Sequence, residues 1–564
     1  MSRDGLSRDG LDSLLAAARS WRDQDPDDET RDELDRLLTR AAEGDAAAVA
    51  DLADRFSDRL QFGTAGLRGA LGAGSNRMNR VLVAQAAAGF AAFLLGRDDS
   101  PSIVIGYDGR KNSDVFARDT AEIMAGAGIR AVILPRALPT PVLAFAVRHL
   151  DFSAGVMVTA SHNPPQDNGY KVYLGGLDHG SQIVSPVDGE IAALIEQAAE
   201  SPVTDLARSD DYTEAGDDLV GEYVDRTAAL AGTAAAGRQP RVVYTAMHGV
   251  GWETARRVFA KAGFAEPIPV SEQAAPDAAF PTVAFPNPEE PGAMDLSFAT
   301  ADRVEADLVI ANDPDADRLA VAIPGDGGWR RLSGNEVGAL LGWRAAERAQ
   351  RDDVDGTLAA SIVSTPALRA IAGEYGLDYA DTLTGFKWVS RVGGLLYGFE
   401  EALGYLVDPA KVRDKDGISA AVDLLALATE LHTQGSSLAE HLVAFDERFG
   451  AYASSQISIR VDDLSQITAM TARLRAEPPS RVGSLVVDRI DDFRSGFGEF
   501  PPGDILRLWL TDGSRVIVRP SGTEPKLKVY IDASSTVGDA AARRTAAEAA
   551  VAELDRGMRE LLAG

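Results

Sequence analysis

Several clusters of polar residues in this chain have the types and spacing that chemistry needs. The first lies in Val156 to Pro165, Val-Met-Val-Thr-Ala-Ser-His-Asn-Pro-Pro, where a short apolar run delivers one hydroxyl, Ser161, into a loop. Pro164 disfavours helical geometry at Asn163, so the run cannot continue as helix. A hydroxyl at the carboxyl end of a strand stands where open α/β sheets bind ligands. Taken alone, the loop is equally an ordinary turn, since Ser, Asn and Pro all form turns. The Ser161-His162 step has the composition of a nucleophile and its base. Adjacent side chains seldom point at one another, however, which argues against a hydrolase triad.

Asp313, Asp315 and Asp317 alternate with Pro314 and Ala316 directly after an apolar run, so an extended loop would turn three carboxylates toward one point. Such a set suits a hard cation such as Mg²⁺, completed by phosphate or water oxygens. Arg318 follows and offsets the mutual repulsion that a bare acidic turn would suffer. An EF-hand does not fit, because its glycine and distal glutamate are not at the required offsets. The rival chemistry is an aspartyl phosphatase, in which one of these aspartates carries the phosphate instead of Ser161.

Near the carboxyl terminus, Arg519, Ser521, Gly522, Thr523 and Lys526 fall within eight positions. A guanidinium, two hydroxyls, a glycine that frees backbone amides and a lysine make an anion cradle, and hairpin turns rarely concentrate so many donors. Glu400 and Glu401 follow Gly398-Phe399 and could accept hydrogen bonds from vicinal sugar hydroxyls; as an isolated pair they are equally surface helix charge. The stretch Phe62 to Gly69 carries Thr64 and Arg68 in a glycine-rich turn, and a plain loop explains its glycines more readily than Arg68. Lys171 sits between Tyr170 and Tyr173 on a run that leads back toward Ser161, which makes it a base candidate, because partial burial lowers a lysine's pKa. Lys387, in Thr-Gly-Phe-Lys, and His248 have less specific surroundings.

The elements that must position these groups alternate regularly. From Arg80 the pattern predicts a helix to Leu95, a strand at Ile103 to Gly106, a helix near Ala117 to Ala127 and a strand at Ala131 to Leu134, before the Ser161 strand at Ala154 to Val158. Such alternation argues for a mostly parallel sheet covered on both faces. A second unit has strands at Arg241 to Thr245 and Asp307 to Ala311, and a third has a strand at Leu358 to Val363 with helices at Ile418 to His432 and Leu438 to Phe445. Beyond Gly450, strands such as Gln456 to Val461 and Ile505 to Leu510 precede a helix from Val537 to Leu562, an α+β pattern. The expected class is α/β: a helical lead-in over 1–60, three similar doubly wound domains over 61–215, 216–330 and 331–448, and a smaller α+β domain over 449–564.

Length and composition agree with that division. At 564 residues and about 150 residues per domain, roughly four domains are expected. A net charge of -29 argues against nucleic acid or an anionic membrane as partner, though local basic loops can still take phosphate. With no cysteine there is no disulfide, thiolate metal site or thiol nucleophile. The opening residues lack the apolar core of a signal peptide and no apolar stretch is long enough to span a bilayer, so a cytoplasmic location is expected.

The Thr-Ala-Ser-His-Asn-Pro, Asp-Pro-Asp-Ala-Asp-Arg, Glu-Glu-Ala and Arg-Pro-Ser-Gly-Thr-Glu-Pro loops occur together and in an order that resembles the α-D-phosphohexomutase family, the phosphoglucomutases and phosphomannomutases. The resemblance covers nearly the whole chain. Gly-Phe-Glu-Glu-Ala-Leu-Gly-Tyr and the lead-in at Trp21 to Thr30 are similar to the branch of phosphoglucomutase-2-like and phosphopentomutase enzymes. It implies a heart-shaped, four-domain arrangement around a central cleft. It also implies a phosphoserine at Ser161, with Asp313, Asp315, Asp317 and the serine's phosphate holding one Mg²⁺. Lys171 and Arg318 would serve the transferring group, with Lys171 as general acid or base, and Arg68 and His162 would join them in catalysis. Glu400 and Glu401 would read sugar hydroxyls, with Thr64 and Lys387 also binding substrate. Arg519, Ser521, Gly522, Thr523 and Lys526 would hold the non-reacting phosphate.

The implied activity moves a phosphoryl group between the 1- and 6-positions of a glucose or mannose phosphate through a sugar 1,6-bisphosphate, which also serves as activator. A phosphopentomutase, a glucose 1,6-bisphosphate synthase and a non-catalytic sugar-phosphate sensor are the alternatives. The partner is a small sugar phosphate. Two departures stand out: Ala402 follows the glutamates where many members have Ser, and Pro314 and Ala316 replace glycines common in the metal loop.

Overall fold

The computed structural model describes residues 8–461, 464–520 and 526–563. Ser521, Gly522 and Thr523 of the anion cradle lie outside the described residues. The chain forms two compact units, one of residues Met1–Arg331 with Asp408–Ala426 and one of Leu332–Val407 with Leu427–Gly564.

The first unit opens with three helices, Arg8–Gln24, Asp28–Ala42 and Ala46–Phe56. Asp27 and Asp45 start the second and third as N-caps, accepting from the backbone N–H of Glu29 and of Ala47 and Ala48. Leu15, Leu34, Leu37, Leu38 and Leu52 from these helices join the same apolar core as the strands that follow, so the lead-in is packed structure. The helix Arg80–Leu95 is buried along nearly its whole length. It crosses Val187–Ala198 so closely that a Cβ at Gly89 would meet the backbone nitrogen of Ile195 at 2.5 Å.

The first sheet runs in the order Leu67–Ala70, Asp167–Leu174, Ala154–Val158, Ser102–Tyr107, Arg130–Ile133, Thr213–Glu214, with Ser181–Gln182 paired to Asp167–Leu174. Ala154–Val158, Ser102–Tyr107, Arg130–Ile133 and Thr213–Glu214 are parallel, joined by crossover helices, and the first two are buried almost throughout, as strands covered on both faces must be. Asp167–Leu174 instead runs antiparallel to the Ser161 strand. Only residues 159–166 connect the two, too few for the crossover that a parallel partner needs.

The second sheet, also in this unit, orders Gly328–Arg331, Leu319–Gly325, Leu308–Asn312, Val242–Thr245 and Ile268–Pro269, with the last three parallel. The segment Asp408–Ala426, inside the stretch assigned to the third domain, belongs to this first unit. There Lys411 meets Asp416 at 2.8 Å with both side chains buried, and Tyr173 donates to Asp414 across 2.9 Å.

In the second unit one sheet orders Asp378–Thr382, Thr357–Ser361, Leu395–Glu400 and Gly404–Leu406, with the first three parallel. The other is wholly antiparallel, from Ala451–Arg460 through Lys526–Ser535, Arg515–Pro520, Leu506–Leu510 and Leu485–Asp492 to Arg481–Val482. Helix Ala540–Ala563 contributes Val551, Leu554 and Met558 to its core. This is the α+β character expected beyond Gly450. Among the described residues no helix is long and apolar enough to cross a membrane.

Candidate active site

Ser161 follows the fully buried strand Ala154–Val158 and takes a left-handed backbone, φ 51°. That conformation disfavours any residue with a Cβ and is held by hydrogen bonds. Its N–H donates to Thr159 Oγ1 across 2.8 Å, and Asn163 N–H closes the turn onto Ala160 O at 3.0 Å. The left-handed twist swings the hydroxyl back over its neighbour, so Ser161 Oγ lies 3.1 Å from His162 Nδ1. The expectation that adjacent side chains would not meet is therefore corrected; it assumes ordinary backbone angles. Burial, then the cations of Arg318 and Arg68, hold the His162 imidazole well below its usual pKa and so neutral.

The same hydroxyl donates to Asp313 Oδ2 at 2.9 Å. Asp313 begins the loop after strand Leu308–Asn312, and Ala316 N–H folds back onto Asp313 O at 2.8 Å with φ 54° at Ala316. The loop is thus a tight turn, not the extended segment expected. It still gathers the three carboxylates, each buried, with one oxygen apiece within 4.8 Å of the others. Asp313 Oδ1 accepts from Arg318 N–H at 3.0 Å. Asp315 Oδ2 accepts from Thr140 Oγ1 and Lys171 Nζ, both at 2.7 Å. Asp317 Oδ2 accepts from Lys171 Nζ and Lys415 Nζ, both at 3.0 Å.

The Oδ1 atoms of Asp315 and Asp317 are buried without a hydrogen-bond partner. A buried carboxylate oxygen left unpartnered is costly. A hard cation bound by these oxygens would remove that cost, so the donor set fits a divalent metal ion.

Charge is distributed unevenly over the group. Burial, then Asp315 and Asp317, push the Asp313 carboxyl well above the usual range. Burial would raise Asp315 and Asp317 as well, but the ammonium of Lys171, joined at Asp317 by Lys415, brings both below it. Lys171 departs from the sequence expectation. Burial does favour its neutral form, yet Asp315 and Asp317 outweigh burial and raise its pKa, so it is a firmly held ammonium.

Arg68 reaches the serine loop from strand Leu67–Ala70, donating from Nη1 to Asn163 Oδ1 at 3.2 Å. Thr64 lies in the turn closed by the Gly63 and Gly66 bridge just before that strand. Gly66 has φ 73° and presses on the strand that carries Lys171: a Cβ there would sit 1.8 Å from Tyr170 O. Arg318 Nε stands 3.9 Å from both Asp313 Oδ2 and Asp317 Oδ1.

Within the second unit, Glu400 accepts Gly385 N–H at 2.6 Å. Arg519 donates to Thr384 Oγ1, so the sugar-loop and anion-loop candidates of this unit meet at the Thr384-Gly385 turn. Lys387 follows on the short helix Phe386–Val389, and Lys526 opens strand Lys526–Ser535. Glu401 Oε2 accepts from Ser361 at 3.1 Å and Ser364 at 3.0 Å.

Thr140, Lys415, Ser361 and Ser364 escape the sequence reading. Thr140 starts a helix and carries no signal of its own. The Asp-Lys-Asp-Gly run at 414–417, a charged loop ahead of a long apolar helix, could have flagged Lys415.

The chain matches all four domains of one family. Residues 59–202 match phosphoglucomutase/phosphomannomutase alpha/beta/alpha domain I, residues 221–327 domain II, residues 333–445 domain III and residues 457–551 the C-terminal domain. A "Probable phosphomannomutase" of Haemophilus influenzae is 55% identical over 487 residues, 86% of this chain and 98% of that protein. A phosphopentomutase of Mus musculus is 36% identical over 543 residues, 86% of this chain and 85% of that one. A solved phosphoglucomutase/phosphomannomutase family protein of Burkholderia thailandensis shares the fold at TM-score 0.67 and 20% identity, covering 90% of this chain and 97% of that one. With its four domain matches in sequence order and a relative of that identity along almost its full length, the chain belongs to the phosphoglucomutase/phosphomannomutase family of phosphosugar mutases.

Proposed function

We propose that the protein interconverts the 1- and 6-phosphates of a hexose, glucose or mannose, with Ser161 as the phosphoryl carrier and Asp313, Asp315 and Asp317 as ligands of one Mg²⁺. The observation that carries this reading is the 2.9 Å contact of Ser161 Oγ with Asp313, in a buried carboxylate group whose Asp315 and Asp317 keep unpartnered oxygens.

Phosphorylated Ser161 gives its phosphoryl group to the free hydroxyl of the sugar monophosphate. The Oγ–P bond breaks as the sugar O–P bond forms, and the hydroxyl's proton ends on Ser161 Oγ. His162, 3.1 Å from that oxygen and neutral, is the group placed to carry the proton, whereas Lys171, expected from the sequence as general acid or base, is held as an ammonium by Asp315 and Asp317. The sugar bisphosphate then turns over and returns its other phosphoryl group to Ser161, so a sugar 1,6-bisphosphate also primes unphosphorylated enzyme. Bound Mg²⁺ would neutralise charge on the transferring phosphoryl oxygens. The ammonium of Lys171 and the guanidinium groups of Arg68 and Arg318 add fixed positive charge, the main protein contribution to such transfers. Arg519, Ser521, Gly522, Thr523 and Lys526 take the non-reacting phosphate, and Thr64, Lys387, Glu400 and Glu401 bind the sugar.

The mouse phosphopentomutase relative supports a second reading, interconversion of ribose 1- and 5-phosphates. A comparison of kcat/KM for glucose 1-phosphate, mannose 1-phosphate and ribose 1-phosphate, with Mg²⁺ and glucose 1,6-bisphosphate, separates the two. A hexose phosphate is expected to lead, and a preference of about tenfold or more for ribose 1-phosphate would replace the hexose reading.

A further inference from the structure

The loop that carries Ser161 has no ladder of its own to hold it, and its backbone carbonyls need donors. Strand Ser102–Tyr107, parallel to the Ser161 strand, ends in Asp108-Gly109-Arg110 beneath that loop. Arg110 Nη2 donates to Ser161 O at 2.7 Å and Asn163 O at 2.6 Å, and Nη1 to Pro164 O at 2.8 Å and Asp167 O at 3.0 Å. One guanidinium thereby gathers the carbonyls of Ser161 and of residues on its far side. Arg110 is only 3% exposed and lies over the Phe280 ring, so its guanidinium is shielded from water and depends on these carbonyls for partners.

Asp108 completes the arrangement. It stands 3.5 Å from Arg110 Nε and accepts from Thr159 Oγ1 at 2.6 Å and Ser113 Oγ at 2.7 Å. Thr159 Oγ1 is also the acceptor of Ser161 N–H. The approach to the serine, through Thr159 and Asp108, and the exit from it, through Arg110, are therefore tied to one buried ion pair. Packing alone would be met by an apolar side chain, which would leave these carbonyls without donors.

We propose that Asp108, Arg110 and Thr159 are positioning residues for phosphoryl transfer, holding Ser161 in its left-handed conformation so that Oγ faces Asp313 before substrate arrives. Arg110 feels the charges of Asp315 and Asp313 without hydrogen-bonding to them, an attraction that Arg110→Lys preserves, and the three residues act through the geometry of the serine. The inference rests on Ser161 being the phosphoryl carrier.

The test follows phosphate uptake on Ser161 from glucose 1,6-bisphosphate by rapid quench and intact-mass measurement, beside steady-state kinetics. Thr159→Val keeps the shape and removes the hydroxyl, Thr159→Ser restores it, and Arg110→Lys keeps the charge but loses the fork. For Thr159→Val and Arg110→Lys the uptake rate and kcat are expected to fall about ten- to a hundredfold, with KM within about twofold of wild type. Final uptake should stay near one phosphate per chain, and Thr159→Ser should recover most of the rate. A merely structural role would lower final uptake in step with kcat, leaving the rate per competent chain unchanged; that result overturns the proposal, as does a Thr159→Val enzyme with wild-type rates. Should Arg110→Lys fail to fold, the two Thr159 variants decide. If wild-type enzyme takes up no phosphate on Ser161, the carrier reading itself fails, which is a separate outcome.

Discussion

Ser161 Oγ and Asp313 Oδ2 are 2.9 Å apart although 152 positions separate them in the chain. The serine ends a strand of the first sheet and the aspartate ends a strand of the second, both in the first unit. Two strand ends from separate sheets thus meet, and each presents what the other lacks: a hydroxyl that can carry phosphate and carboxylates that can hold a cation.

Ser161→Ala should lower mutase turnover by about a thousandfold or more, because it removes the hydroxyl of the covalent step, and the Thr140 hydroxyl nearby is engaged in donating to Asp315 at 2.7 Å. Phosphate on the wild-type enzyme should resist hydroxylamine, as a serine ester does and an aspartyl phosphate does not. Near-normal turnover in the alanine variant, or a hydroxylamine-labile phosphate, would move the carrier onto an aspartate.

Mg²⁺ should raise the thermal midpoint of the wild-type protein, since a ligand that binds only the folded state at a hundred times its Kd contributes about 2.7 kcal/mol. Asp315→Asn should weaken that response, because the amide removes a charged donor from the group. The shift is read in thermal scans with and without Mg²⁺ and does not depend on activity. An undiminished shift in Asp315→Asn would place the cation elsewhere.

Gly66→Ala should be strongly destabilising. The added Cβ would meet Tyr170 O at 1.8 Å, and φ 73° already disfavours alanine. Relief requires moving the turn or the strand that carries Lys171, so a loss of about 2 kcal/mol or more is expected, with a fall in kcat. Urea unfolding and steady-state kinetics on one preparation check both, and a wild-type midpoint would show that the turn can shift freely.

The parts of this site that were legible in the sequence are those whose information is local. An apolar run followed by Ser161 and a proline-blocked loop states a strand end, and the triplet Asp313, Asp315 and Asp317 states a carboxylate cluster whatever the turn between them. Supports drawn from distant positions were not legible. Thr140 has ordinary sequence surroundings, and Arg110 and Lys415, though they stand in charged loops, have nothing nearby that names their partners; the three reach Asp315, Ser161 and Asp317 only when the chain folds, 175, 51 and 98 positions away respectively. The pKa of Lys171 fails for the same reason: burial follows from its aromatic neighbours, but the two aspartates that outweigh burial lie far along the chain. Asp108-Gly109-Arg110 does carry a signal, since it ends an apolar strand in the same way as the Ser161 and Asp313 loops.

The buried pair Lys411 and Asp416 provides the last prediction. Their side chains are 0% and 1% exposed, and Lys411 also donates to Thr227 at 2.6 Å while Tyr223 donates to Asp416 at 2.8 Å. A pair so far from water contributes little net stability over an apolar substitute, yet removing one partner strands the other charge at a cost of about 3–5 kcal/mol. Lys411→Met alone should therefore lower the thermal midpoint sharply. Asp416→Asn added to it should recover part of the loss, because the stranded carboxylate becomes a neutral amide that Tyr223 and Ser419 can still bond. The double variant should thus be more stable than Lys411→Met, against the usual trend that a second core substitution destabilises further. If the two losses simply add, Asp416 does not depend on Lys411 for its charge compensation, and the segment Asp408–Ala426 is held in the first unit by its other contacts, such as Tyr173 with Asp414 and Lys415 with Asp317.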